Sequence, residues 1–302
     1  MDKFLFVIQE ELVDERIDKC LSQLVDTLSR SYIQKLIKDN HVFVNNQPVK
    51  ANYRVHLDDE ICFYLPKSIE PEILPQDIPL NIIYEDEDII IVNKPKNMVV
   101  HPAAGHYKDT LVNALLYHCK DSLSGINGVM RPGIVHRIDM NTTGSLIICK
   151  NDLSHNDIAA QLKEHSITRK YHAIVYGVLK DDFGTIDKSI GRSDTDRKKM
   201  AVNAKNGRNA VTHYKVLQRF DKYTYIECQL ETGRTHQIRV HMASIGHAIL
   251  GDDVYSNRVC PFKLNGQTLH AKVLGFIHPR SKEYMEFDAP LPDYFLHLLD
   301  IL

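Results

Sequence analysis

An acid, an arginine and a histidine stand together in the segment His136-Arg137-Ile138-Asp139, followed by Asn141, Thr142, Thr143 and Gly144 and then by the apolar run Leu146-Ile147-Ile148-Cys149. A carboxylate on a loop backed by a rigid strand can attack an electrophile or take a proton, and such loops are where sites are usually built. The plainer role for Asp139 is to close a turn with Asn141 and Thr142, because short polar side chains readily bond nearby backbone. His236, His241 and His247 invite a metal reading, but spacings of five and six do not put three imidazoles on one helical face. No carboxylate or thiol completes the set, so no metal is expected. The six cysteines, Cys20, Cys62, Cys119, Cys149, Cys228 and Cys260, show no paired short spacing and read as reduced core thiols rather than a zinc knuckle or disulfide framework. Tyr225, Cys228 and Leu230 read as core.

The elements that must position this loop come from a chain of 302 residues with 37 Lys+Arg, 39 Asp+Glu and 43% hydrophobic residues. That composition excludes disorder as the main state and leaves ample chain for a core. No apolar run approaches the ~18 residues of a membrane span, and the first residues are acidic where a signal peptide is basic. A cytoplasmic protein is expected, with no membrane partner and as a monomer. The near-zero net charge argues against indiscriminate coating of nucleic acid, which an excess of Lys and Arg drives. Two local runs differ: Arg30, Lys35, Lys38, Lys50 and Arg54 face Asp39 alone between 28 and 54, and eight basic residues face Asp194 and Asp196 between 192 and 219. A solvated face is the ordinary meaning of either run taken alone.

Pro66, Pro71, Pro75 and Pro79 mark a linker over 66–79. Before it, a unit over 13–65 is expected. Asp14 is the capping candidate for a helix bearing Ile17, Cys20, Leu21 and Leu24, and Ser29 for a second helix with Ile33, Leu36 and Ile37 buried. Arg30, Gln34 and Lys38 share another face of that second helix. Strands follow around Asn45-Asn46-Gln47-Pro48 and on to Leu65. After the linker, a unit over 80–302 opens with a hairpin around Glu85 to Asp88. It continues with a helix capped by Thr110, a buried strand over 145–149, a helix over 154–164 and strands near 171–176, 211–216 and 225–230. Hairpins mixed with single helices predict an α+β fold with a mixed, mainly antiparallel sheet rather than a doubly wound one.

These motifs carry a resemblance. His136-Arg137-Ile138-Asp139-Met140-Asn141-Thr142-Thr143-Gly144 resembles the catalytic motif of the RluA/RluD family of pseudouridine synthases, His-Arg-Leu-Asp followed by two variable residues and Thr-Ser-Gly. The resemblance extends to Asn93-Lys94-Pro95, Val100-His101-Pro102, Arg169-Lys170-Tyr171, the run from Thr232 to His241, Leu269-His270-Ala271 and His278-Pro279. The stretch from about Glu15 to Leu65 is similar to the small α/β RNA-binding module named after ribosomal protein S-four. Asn46, Asp58 and Asn97 stand where these families often have glycine, and all three types tolerate left-handed backbone. A regulatory or dimerising subdomain is the bland alternative for the N-terminal unit.

The resemblance implies an enzyme that detaches uracil from ribose, rotates it and rejoins it through carbon. The base must leave its stack, at a cost of a few kcal/mol, and stacking on an aromatic returns about 1 to 3 kcal/mol. It implies Asp139 as the catalytic carboxylate, attacking the anomeric carbon or removing a proton there, Tyr171 beside the target uracil, and Arg137 in the space the nucleotide leaves. Burial disfavours a charged acid and an adjacent guanidinium favours it. Arg239 is the expected partner, on a helix that Thr235 caps. Arg234 is assigned to RNA phosphate, His136 and Thr143 to the substrate site, and Arg30, Lys35 and Lys38 to RNA contact through the N-terminal module. The reaction is redox-neutral and transfers no phosphoryl group, so no cofactor is expected. Large-subunit ribosomal RNA is the expected substrate and partner. A tRNA-directed synthase, a non-catalytic ribosome-assembly protein and a small-molecule glycosidase are the competing readings.

Overall fold

The computed structural model describes residues 2–66, 73–102, 106–120, 122–128, 131–196 and 199–302. The chain divides into two compact units, Met1–Pro71 and Glu72–Leu302. In the first, helices α1 (Ile17–Leu24) and α2 (Arg30–Lys38) pack on a sheet of β1 (Asp2–Val7), β2 (Val42–Val44), β3 (Gln47–Pro48) and β4 (Glu60–Leu65), in the order β1-β4-β2-β3. Ile17, Cys20 and Leu21 meet Ile33, Leu36 and Ile37 over Val42, Ile61 and Phe63, so the two helical stripes seen in the sequence are the core. Ser29 caps α2, its hydroxyl accepting from the Tyr32 amide at 3.3 Å. Asn46 and Asp58 take φ of 64° and 63°, as expected of residues replacing glycine. Asp14 does not cap α1; its backbone is left-handed and its carboxylate pairs with Arg54 at 3.0 Å. Strand β1 was not expected, and it places the start of the unit before residue 13.

The linker reading covers residues 66–79. Residues 67–72 of it lie outside the described residues, but from Ile73 onward the chain is anchored to the second unit. Ile73 is buried in that unit's core, and the Gln76 side chain accepts from the Asp109 amide at 2.7 Å.

The second unit is built on one nine-stranded sheet. Its strands are β5 (Ile82–Glu85), β6 (Ile89–Lys94), β7 (Thr143–Cys149), β8 (Thr168–Tyr176), β9 (Phe183–Asp187), β12 (Val211–Arg219), β13 (Tyr223–Leu230), β14 (Leu269–Ile277) and β15 (Tyr284–Asp288). A separate ribbon holds β10 (Ile190–Arg192) and β11 (Met200–Val202), and the helices are α3 (Leu111–Cys119), α4 (Asp152–Lys163), α5 (Gln237–Ser244) and α6 (Asp293–Ile301). The sheet runs β5-β6-β7-β14-β8-β13-β12-β9, with β15 also paired to β14. Every named strand pair in it is antiparallel except β7 with β14, so the expected mixed, mainly antiparallel α+β fold is what forms.

All of β7 is buried because both faces of the sheet are covered there. Leu146 and Ile148 join one core with Ile90 and Val92, and Ile147 and Cys149 join another with Ile158 of α4. Thr110 caps α3 in a reciprocal box with Asn113, as its position predicts. α4 begins at Asp152 under an Asn151 cap, two residues before Ser154. Gly144 is required where β7 meets β14: a Cβ there would lie 2.3 Å from the Ala271 carbonyl oxygen. No helix among the described residues is long and apolar enough to cross a membrane.

Candidate active site

The loop before β7 delivers Asp139. The Asp139 carbonyl oxygen accepts from the Thr142 amide at 3.0 Å, so the turn is closed by backbone and the carboxylate is left for other work. Three further contacts hold this loop. Lys94, buried at the end of β6, donates to the Met140 carbonyl at 3.0 Å and also to those of Pro95 and Met98. Gln267 donates to the Thr142 hydroxyl at 3.0 Å, and the Ile147 amide donates to His136 Nε2 at 3.1 Å. His136 is therefore unprotonated at that nitrogen, and burial, reinforced by the Arg169 charge, pushes its pKa down to about 3.

Arg239, on α5, donates from Nη1 to Asp139 Oδ2 at 3.0 Å. Its Nε and Nη2 donate to the two oxygens of Asp252 at 2.7 and 3.0 Å. Burial alone would lower the guanidinium's pKa. The hydrogen bonds and charge of Asp252, then the charge of Asp139, more than offset that and hold it above its ordinary value. Asp252 also accepts from the amides of Val254 and Tyr255, which fixes its carboxylate. The Tyr255 ring lies 5.1 Å from the same guanidinium, and its hydroxyl bonds His236 Nδ1 at 2.7 Å. His236 Nε2 in turn lies 3.8 Å from Asp139 Oδ1. Thr235 does not cap α5. His236 sits at the cap position in left-handed backbone, and the Gln237 side chain accepts from the Arg234 amide at 2.9 Å instead. This arrangement lets the loop turn sharply into the helix while His236 faces the acid.

Asp139 keeps 20% of its side-chain surface exposed, into a cavity whose walls include Tyr171, Leu230, Arg234 and Ile238. Clefts of about 520 and 370 Å³ share Asp139, Arg137 and His236 with it. A carboxylate anchored on one oxygen by a buried cation, beside a buried aromatic face and an open basic cleft, is equipped to act on one unstacked base of a polyanion.

The RNA pseudouridylate synthase family model matches residues 88–244, and the S4 domain model matches 15–61. The chain is 50% identical over 302 residues to an uncharacterized RNA pseudouridine synthase of Bacillus subtilis, YlyB, covering 100% of this chain and 99% of that one. The chain belongs to the RNA pseudouridine synthases. The ribosomal large subunit pseudouridine synthase D of Zymomonas mobilis is 46% identical over 94% of this chain and 93% of its own. Human RNA pseudouridylate synthase domain containing 1 superposes with a TM-score of 0.59 at 25% identity, covering 74% of this chain and 86% of that one.

In this pseudouridine synthase the residues expected at the site separate into those the fold gathers and those it does not. Asp139, Tyr171, Arg239, Arg137 and Arg234 share one cavity, and His136 lines the larger cleft. Thr143 is not brought there: it is buried, and its hydroxyl bonds His270 Nδ1 at 2.8 Å. Arg30 is tied to buried Asp18 at 3.0 Å, and Gln34 donates to the same carboxylate at 2.6 Å, so the expected cationic face of α2 is reduced. Lys35 and Lys38 remain exposed. Arg197 and Lys198 of the basic run over 192–219 lie outside the described residues. Asp252, Tyr255 and Leu230 join the site without having been expected in it. Leu230 packs against the core, as it reads, and also forms a wall of the cavity, and Asp252 stands in Gly251-Asp252-Asp253, which carries no motif. His236, His241 and His247 go to separate partners: Tyr255, Thr212 with the Lys188 carbonyl, and the Tyr176 carbonyl.

Proposed function

We propose that this RNA pseudouridine synthase isomerises specific uridines of large-subunit ribosomal RNA, with Asp139 as the catalytic carboxylate. The observation that carries the reading is the 3.0 Å contact from the buried Arg239 guanidinium to Oδ2 of Asp139, a carboxylate that lines the same cavity as Tyr171. Asp139 attacks the anomeric carbon or removes a proton next to it, the N1 to C1′ bond breaks, and the uracil rotates. A C5 to C1′ bond then forms as the bond from Asp139 to C1′ breaks, or as Asp139 returns the proton it took from the sugar, and the proton lost from C5 is balanced by one gained at N1. No electron or phosphoryl group is transferred.

The Tyr171 phenol, whose pKa burial raises, stays protonated and offers its face to the detached base. Exposed Arg137, between the two clefts, takes the space the flipped nucleotide leaves. The N-terminal unit adds an RNA-binding surface that includes Lys35 and Lys38. The ribosomal assignment is supported by the likeness to the ribosomal large subunit pseudouridine synthase D of Zymomonas mobilis. The enzyme works as a cytoplasmic monomer.

Purified Asp139→Asn protein, incubated with large-subunit RNA from cells lacking the gene, is expected to leave no carbodiimide-reactive pseudouridine while still binding that RNA. Full turnover by this variant would remove Asp139 from the mechanism. Full turnover of wild type on tRNA alone would remove the ribosomal substrate.

A further inference from the structure

Arg169 is a buried cation that the site described above does not use. It lies on β8 two residues before Tyr171, on the same face of the strand, and is 8% exposed. Among the described residues its Nε has no hydrogen-bond partner, and Nη2 reaches only the Glu231 carbonyl, at 3.4 Å. Among the described residues no carboxylate pairs with it. The Glu231 carboxylate turns instead to His213, at 2.6 Å. A buried guanidinium without an anion is costly, and such groups are ordinarily paired.

The cleft of about 520 Å³ that Arg169 lines explains where an anion would come from. Arg137, Lys163 and Arg234 line it too, and the single acid among the described residues that line it, Asp139, is already bonded to Arg239. The chain also makes room for the guanidinium. A Cβ at Gly233 would stand 2.7 Å from Arg169 Nη1, so the glycine leaves the space in which that nitrogen lies.

We propose that Arg169 is the receptor for a backbone phosphate of the RNA strand whose uridine enters the Asp139 cavity. The proposal deepens the reading of the site as an RNA-modifying one. The bound phosphate diester supplies the charge and acceptors the guanidinium lacks, and because Arg169 and Tyr171 share one strand, gripping that phosphate holds the nucleotide with its base beside the aromatic ring. Arg169 is thus a positioning residue whose partner arrives with the substrate.

The test uses full-length protein, a ten-nucleotide oligouridylate and inorganic phosphate, none of which requires turnover, so its outcome is independent of the role of Asp139. Arg169→Met removes an uncompensated buried charge and is expected to raise the thermal midpoint of the free protein by roughly 2–4 °C. The same variant is expected to weaken oligouridylate binding and to reduce the slope of log affinity against log salt, between 50 and 200 mM KCl, by about 0.7, the share of one single-strand phosphate contact. Arg169→Lys keeps the charge and should restore the slope. Gly233→Ala, which displaces Nη1, should weaken binding with the charge intact. A lowered midpoint in Arg169→Met that Arg169→Lys does not repair would make the residue structural and overturn the proposal, as would an unchanged salt slope. Equal stabilisation of wild type by inorganic phosphate and by oligouridylate, at equal phosphate concentration, would assign the group to a free anion rather than to RNA.

Discussion

Arg239 meets two acids at once, and their unequal burial decides what each does. Asp252 is fully buried and takes two of its donors, while Asp139 takes one and stays partly exposed at the cavity wall. The planar fork makes this division possible, because a lysine has no fixed geometry with which to span both carboxylates. Arg239→Lys is therefore expected to lower kcat on the order of 10²-fold, the scale of a misplacement near 1 Å, with the KM for RNA little changed. Steady-state kinetics on the proposed RNA substrate would check it. Asp252→Asn removes the anchor's charge but not its shape. A drop in kcat of about tenfold, or roughly 1.4 kcal/mol of barrier, is expected, again without a change in RNA affinity. Loss of RNA binding in either variant would show that the pair supports the cleft rather than the carboxylate.

At the scale of elements the site depends on the junction of β7 with β14, where the sheet's parallel pair forms. Gly144 has φ of 108°, and a Cβ would press into the Ala271 backbone, which cannot turn aside as a side chain can. Gly144→Ala is expected to destabilise the second unit by more than about 4 kcal/mol, or to prevent its folding, as measured by urea unfolding and soluble yield. By contrast, Ser29→Ala in the first unit removes one cap from a two-helix core and should cost about 1 kcal/mol.

What the sequence could tell follows the same division. Caps at Ser29 and Thr110 are local chemistry, as is the apolar run of β7, and these were legible. So were Asp139 and Arg239, through a motif. The parallel partner of β7 was not legible, because Gly144 and Ala271 are joined by non-local pairing that leaves no mark on either stretch. Asp252 was hidden for a related reason: its meaning comes from α5, and in its own neighbourhood it is one turn acid among others. The Arg30 ion pair and the Gln34 hydrogen bond are not legible, because periodicity assigns a face to a residue but not the buried Asp18 that faces it from α1.

For the molecule as a whole, buried histidines set the acid limit. His101, His172 and His270 are held near a pKa of about 4 and His136 near about 3, burial being the largest cause at each. His270 illustrates the geometry, with Nδ1 bonded to the Thr143 hydroxyl and Nε2 to the Ala289 carbonyl in a neutral ring. Between the ordinary value near 6.5 and about 4, the unfolded chain binds protons that the folded chain refuses, so stability is full above that window and falls as pH drops through it. Urea midpoints measured from pH 7 to pH 4.5 should decline progressively, and His270→Gln should flatten the decline by up to one proton. The strand order carries a consequence for synthesis. Asp139 is delivered ahead of β7 and Tyr171 stands on β8, yet β14 lies between those two strands. A nascent chain halted before residue 269 holds both residues but not the strand that spaces them, so an unfinished polypeptide stays inert beside the ribosome that is making it.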